Sequence, residues 1–133
     1  MAAWRDHLRQ LVARCDYLNH RRYRALHFTG PGTNLTVGLP AGHQWQSARF
    51  MSQKGIDYIA NLPTEEIFTL PHHALTEGTV TSTRPLNYGD TLIDGFRLTF
   101  SGGRAVEASS RTGEAILRNL LDSDEGARRL GEV

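Results

Sequence analysis

Cysteine is almost absent from this sequence, which has a single one, Cys15, among its 133 residues. An intrachain disulfide is therefore excluded, and the composition suits a reducing compartment, so we expect a cytoplasmic protein. Long apolar runs are also missing, since no stretch approaches the roughly 18 apolar residues of a membrane span. Charges run through residues 1–18, and for that reason we expect no signal peptide there.

An excess of charge of one sign is lacking as well. Fifteen Lys and Arg residues balance fourteen Asp and Glu residues, which gives a net charge of +1. Proteins that bind nucleic acid or anionic membranes through their field are usually strongly basic, so neither partner is expected. Hydrophobic residues make up 39% and charged residues 22%, which predicts one globular domain over residues 1–133.

The spacing of apolar residues predicts a helix first and strands after it. Positions at spacings of three and four form one stripe, which includes Cys15 as a core residue: Trp4, Leu8, Leu11, Val12, Cys15 and Leu18. His7 and His20 are interpreted as solvated residues on that helix. A period of two then predicts strands over 23–28, 33–39, 57–60, 67–70 and 78–83, with a loop over 41–56.

The C-terminal third predicts a hairpin and then helices. Residues 91–108 alternate on both arms and turn at Ser101–Gly103, where the Gly-Gly pair supplies positive φ. A helix is predicted to start near Thr112 as its N-cap, and a short third helix to span Glu125–Leu130. The predicted fold class is α+β: an N-terminal helix, mostly antiparallel strands and C-terminal helices in one compact domain.

Residues 61–73, NLPTEEIFTLPHH, concentrate chemically capable side chains. Glu65 and Glu66 are adjacent, and on an extended chain neighbours point to opposite faces, so only one of them can face a shared site. That disfavours a glycosidase built from this pair of carboxylates.

The histidines do not by themselves decide whether the sequence encodes a metal site. His72 and His73 lack the helical i, i+4 spacing of a zincin, and either an exposed loop pair or a metal site remains open. His43, in the AGHQW stretch, is either a polar loop residue or a pocket residue. The sequence contains no Walker loop, no Rossmann fingerprint and no serine nucleophile elbow.

Four longer strings, taken together, are more specific than any single residue. They occur in the order GTNLTVGLPAGHQW, NLPTEEIFTLPHH, TSTRPLNYGDTLIDGFRLTFSGGRAVEA and LLDSDEGARRLGEV. With them, the chain from Trp4 to Val133 resembles the thermophilic-type metalloaminopeptidases, the family of aminopeptidase T and aminopeptidase S.

The resemblance implies an enzyme and part of its site. Members of this family remove N-terminal residues from peptides with a water activated by two divalent ions (Zn, Co or Mg), and they act as homodimers. Their NxPTEE motif supplies a ligand from its second glutamate, which falls on Glu66. Their LGEV motif supplies a ligand thought to bridge the metals, which falls on Glu132. The other ligands, two histidines and an aspartate, and a catalytic tyrosine would lie after Val133.

The resemblance therefore predicts that this chain is an internal fragment of a larger metalloaminopeptidase. It would hold two metal ligands, no further catalytic residue and no assigned substrate-binding residue, and it would be inactive alone. The alternative is a non-catalytic peptide- or protein-binding domain, in which the AGHQW loop and the strand edges capture a partner by β-augmentation.

Overall fold

The computed structural model describes residues 2–47, 49–61 and 63–133. Met1, Ala48 of the predicted loop 41–56 and Leu62 of the NLPTEE motif lie outside the described residues. The elements are α1 (Ala2–Arg21), β1 (Ala25–Gly30), β2 (Thr33–Gly38), β3 (Arg49–Met51), β4 (Asp57–Ile59), β5 (Thr76–Thr81), β6 (Leu86–Tyr88), β7 (Thr91–Ile93), β8 (Arg97–Ser101), β9 (Arg104–Ser109) and α2 (Glu114–Leu121). The predicted α+β class with antiparallel pairing is confirmed. No helix in these described ranges is long and apolar enough to cross a membrane.

The chain divides into two compact units. The first, called the helical unit, comprises Met1–Tyr23, Pro40–Leu70 and Glu132–Val133 and contains α1, β3 and β4. The second, called the sheet unit, comprises Arg24–Leu39 and Pro71–Gly131. Glu66 and Glu132 both belong to the helical unit, although most of the sheet unit lies between them in sequence.

In the helical unit, α1 buries the centre of its predicted stripe. Leu11 and Cys15, four residues apart, are buried, whereas the other stripe residues are only half-buried. Cys15 is a packed core residue as predicted, and burial raises the pKa of its thiol. Near the end of α1, Asn19 brackets the backbone of Trp45: its Nδ2 donates to the Trp45 carbonyl (3.0 Å) and its Oδ1 accepts from the Trp45 N–H (2.7 Å).

The sheet unit is built on a five-stranded antiparallel sheet in the order β1-β2-β5-β8-β9. In the central strand β2, Leu35 and Val37 are buried and Thr36 between them is exposed, as in a strand with one covered face, whereas the edge strand β1 has no buried residue. The buried side chains of this unit come mainly from the sheet and from α2, with Leu39 after β2 and Ile93 of β7 in addition: Leu35, Val37, Leu39, Thr76, Ile93, Phe100, Ala105, Ala108, Leu117 and Leu121.

The hairpin turn is confirmed, but its first arm is shorter than predicted. Strands β8 and β9 pair across Gly102 and Gly103, which have φ of 58° and 75°. Residues Thr91–Ile93 instead form β7 and pair with β6. The strand breaks because Asp94 pairs with Thr112 as an isolated bridge and Gly95 adopts a φ of 61°.

Local patterns gave four wrong assignments elsewhere. Strand β3 lies inside the predicted loop 41–56, and residues 67–70 form backbone pairs but no regular strand. The cap of α2 is Gly113, with φ 75° and no side-chain cap bond, instead of Thr112. The predicted helix Glu125–Leu130 consists of turns: the Asp124 carboxylate accepts the N–H groups of Gly126 and Ala127 as an N-cap would, but the backbone bonds that follow, Ala127 to Asp124 and Arg129 to Gly126, span three residues and not four.

The stability of the sheet unit is expected to depend on Glu114 in acid. The Arg118 guanidinium, at 2.9 Å, and the Ser110 N–H lower the pKa of Glu114 below its usual value of 4.5. A lowered folded-state pKa gives stability that is present at neutral pH and is lost as pH falls through the folded-state pKa. The melting temperature of Glu114→Gln should therefore fall less between about pH 5 and pH 3 than that of the unmodified chain.

The matched control is Glu107→Gln, an exposed carboxylate on β9 that makes no ion pair within the described ranges. Its acid slope should equal that of the unmodified chain. Identical slopes for all three proteins would contradict the role given to the Glu114–Arg118 pair.

Candidate metal centre

Three separate segments of the helical unit lie side by side. Gln46 and Phe68 exchange two backbone hydrogen bonds of 2.8 and 2.9 Å, and Thr69 and Val133 exchange two of 2.9 and 3.0 Å. Residues that exchange both bonds are direct antiparallel partners. The TEEIFTL segment is therefore held between the GHQW segment on one side and the last residues of the chain on the other.

This pairing assigns side chains to faces. Direct partners project to the same side, and successive residues of an extended segment alternate. Phe68 thus shares a face with Gln46, and Glu132, next to Val133, shares the face of Phe68 and Leu70. Continued alternation from Phe68 back to Glu66 would place that carboxylate on the same face. We call this side, with Gln46, Glu66, Phe68, Leu70 and Glu132, the glutamate face.

Glu65 belongs to a different contact. Its Oε2 lies 3.4 Å from Nε2 of His7 on α1, and the same nitrogen is 2.8 Å from the carbonyl oxygen of Thr64. The imidazole is mostly covered, with 24% of its side chain exposed, so the interpretation of His7 as a solvated helix residue is wrong. His7 thus links α1 to the PTEE segment through its contacts with Glu65 and Thr64.

Glu66 and Glu132 are both exposed. Among the described residues, no hydrogen bond reaches either carboxylate, and no group of three or more His, Cys, Asp and Glu side chains is positioned to hold a metal. Two carboxylates on one face suit a hard divalent cation. A catalytic zinc normally has three protein ligands, so these two residues fit as part of a ligand set.

The paired histidines have local contacts in the sheet unit. The rings of His72 and His73 stack with centroids 4.8 Å apart. His72 Nδ1 accepts the Ala74 N–H at 3.1 Å, and the His73 carbonyl accepts a bond from Arg129 at 2.6 Å. These contacts hold His72 and His73 in a structured turn.

His43 is a pocket residue, which resolves the alternative that the sequence left open. It contributes to a cavity of about 440 Å³ in the helical unit, together with Gln44, Gln46, Phe68 and Leu70. Its Nδ1 lies 3.0 Å from the Pro40 carbonyl, and its buried Nε2 has no hydrogen-bond partner in the part of the chain described. Sequence reasoning missed this cavity, for which the AGHQW string was the one available signal.

One family of known proteins matches the whole chain. A family model described as thermophilic metalloprotease (M29) matches residues 1–133. The chain belongs to this M29 family. Because its members are metalloproteases, use of a divalent metal is expected. The predicted resemblance to aminopeptidases T and S is confirmed.

Curated relatives and a solved structure agree with the family assignment. Aminopeptidase T of Thermus thermophilus is 53% identical over 133 residues, which are 100% of this chain and 33% of that protein. Aminopeptidase 2 of Geobacillus stearothermophilus is 48% identical, over 100% of this chain and 32% of that protein. The structure of wild-type AmpT from Thermus thermophilus matches with a TM-score of 0.96 at 53% identity, over 100% of this chain and 34% of that chain. The M29 chain thus spans about one third of the curated relatives it matches.

Proposed function

We propose that this chain carries the first part of the metal centre of an aminopeptidase that hydrolyses N-terminal residues from peptides. The supporting observation is the pairing of Thr69 with Val133, which brings the segments of Glu66 and Glu132 together. The curated relatives named above are aminopeptidases, and all of this chain aligns with them.

In this proposal, Glu66 and Glu132 hold divalent cations from one face. Glu132 lies opposite Leu70 in the backbone pairing, and Glu66 precedes Leu70 by four residues. The two carboxylates would therefore reach the ions from separate points along the TEEIFTL segment. A glutamate has two oxygens and can bridge two ions, as the family resemblance implies for Glu132. When bound, the ions would polarise the peptide carbonyl and lower the pKa of a water nucleophile.

The finer parts of the proposal rest on the family resemblance. The complete protein would hold two ions of zinc, cobalt or magnesium, act on peptides in the cytoplasm and form a homodimer. Residues 1–133 would form an internal α+β domain of a larger metalloaminopeptidase. The missing ligands and the catalytic tyrosine would come from the two thirds of the relatives' length that this chain does not span.

The 133-residue chain alone is expected to be inactive. Two carboxylates supply fewer ligands than a catalytic zinc requires, so added zinc, cobalt or magnesium should not raise hydrolysis of aminoacyl-p-nitroanilides above background. The complete protein that carries this sequence should hydrolyse them, lose activity in EDTA and regain it when metal is restored.

These assays also separate the enzyme from the alternative, a non-catalytic binding domain. Metal-dependent turnover by the purified 133-residue chain would contradict the assignment of ligands to other parts of the protein. A complete protein without metal-dependent turnover would contradict the aminopeptidase proposal itself.

A further inference from the structure

The cavity beside the GHQW segment lies on the glutamate face. Its lining includes Gln46 and Phe68, which are direct backbone partners, and Leu70, which lies opposite Glu132 in the next pairing. Side chains of direct partners project together, so Gln46, Phe68 and Leu70 line the cavity from the side of the glutamate face, while Glu66 and Glu132 are not themselves among the lining residues. Thr69, whose Oγ1 donates to the Gln44 carbonyl at 2.8 Å, fixes the spacing of the two cavity walls.

The size and lining of the cavity suit a side chain. Its volume of about 440 Å³ lies in the usual range for ligand pockets, roughly 300–1,000 Å³. Phe68 and Leu70 form apolar walls, and Leu70 has a relative exposure of 65%. Gln44 and Gln46 are exposed and carry no charge. The lining contains no Asp, Glu, Lys or Arg, and its one titratable side chain is His43, so an apolar side chain would bury surface against both walls without leaving a charge unpaired.

We propose that this cavity receives the side chain of the substrate's N-terminal residue and favours an apolar one. The inference rests on the proposed function: if Glu66 and Glu132 hold the ions at which the first peptide bond is cut, the adjoining cavity on that face is where the first side chain lies. Gln46, which lines the cavity and pairs with Phe68, is then a specificity-determining residue.

The test is a change of preference in the complete protein. Gln46→Glu keeps the shape of the side chain and adds a negative charge to the cavity. The ratio of kcat/KM for lysyl- over leucyl-p-nitroanilide should rise about tenfold, because a charge at contact distance discriminates by more than 1 kcal/mol. Gln53→Glu, an exposed glutamine outside the cavity lining, is the matched control and should leave the ratio unchanged.

A second variant probes the apolar wall. Phe68→Ala enlarges the cavity and should shift preference from leucyl towards the larger phenylalanyl substrate by about tenfold, a change in ratio that general destabilisation would not produce. Metal content measured beside the kinetics should be unchanged in Gln46→Glu.

The results distinguish this inference from the proposed function. Unchanged ratios in Gln46→Glu and Phe68→Ala, in a protein that Glu66→Ala inactivates, overturn the cavity assignment alone. Full activity in Glu66→Ala overturns the proposed ligand, and the cavity assignment with it.

Discussion

Replacing Glu66 or Glu132 by alanine should inactivate the complete protein that carries this sequence. Mutation of groups that merely orient metal ligands typically costs about 10- to 100-fold in activity or metal affinity, so loss of a direct ligand should reduce kcat/KM by about 100-fold or more. Both side chains are exposed and accept no hydrogen bond from described residues, so the free energy of unfolding should change by only about 0.5 kcal/mol. Peptidase rates and melting temperatures measured together would show loss of activity without loss of fold.

Glu65→Ala is the matched control for this experiment. Its carboxylate has 84% of its side chain exposed and contacts His7, and an exposed ion pair contributes about 0–1 kcal/mol. Activity should therefore stay within about threefold of the unmodified protein, which corresponds to less than 1 kcal/mol. An inactive Glu65→Ala beside an active Glu66→Ala would show that the NLPTEE motif has been aligned one residue out.

Gly103→Ala is expected to destabilise the sheet unit strongly. Gly103 has a φ of 75°, and a Cβ there would overlap the backbone of His73 and Ala74. Because backbone atoms cannot move aside as a flexible side chain can, the variant should lose at least about 3 kcal/mol of unfolding free energy. Thermal denaturation should show a decrease of about 10 °C or more in melting temperature.

Gly102→Ala separates the overlap from the conformational cost. Gly102 also has a positive φ, 58°, but a Cβ at this position would meet no atom within 4 Å. The left-handed conformation alone costs about 1–2 kcal/mol for a residue with a Cβ. Equal losses for the two variants would mean that the close approach of Gly103 to residues 73–74 contributes nothing.

Local chemistry determined those parts of the fold that the sequence predicted correctly. Leu11 and Cys15 lie four residues apart and are buried in α1, and the Gly102–Gly103 pair turns the β8–β9 hairpin. The predictions that failed depended on local backbone conformations that the sequence pattern does not determine. Asp124 caps a turn where a third helix was expected, and Gly113, in a left-handed conformation, starts α2 in place of Thr112.

The candidate site depended on contacts between segments distant in sequence. Alternation predicted that Glu65 and Glu66 point to opposite faces, which stays a prediction, and only the family motifs pointed to Glu132, since nothing in the local pattern joins Val133 to Thr69. The cavity was unpredictable for the same reason. Its walls come from Gln46 and Phe68, and their pairing depends on the fold and not on the periodicity of either segment.

The most direct test of the central claim is the metal content of the complete protein and its three glutamate variants. After purification and dialysis against a chelator-free buffer, metal bound per chain is measured by elemental analysis. The account predicts that Glu66→Ala and Glu132→Ala each lose bound metal, while Glu65→Ala keeps as much as the unmodified protein. Full metal content in both Glu66→Ala and Glu132→Ala would contradict the claim that these two carboxylates are ligands of the metal centre.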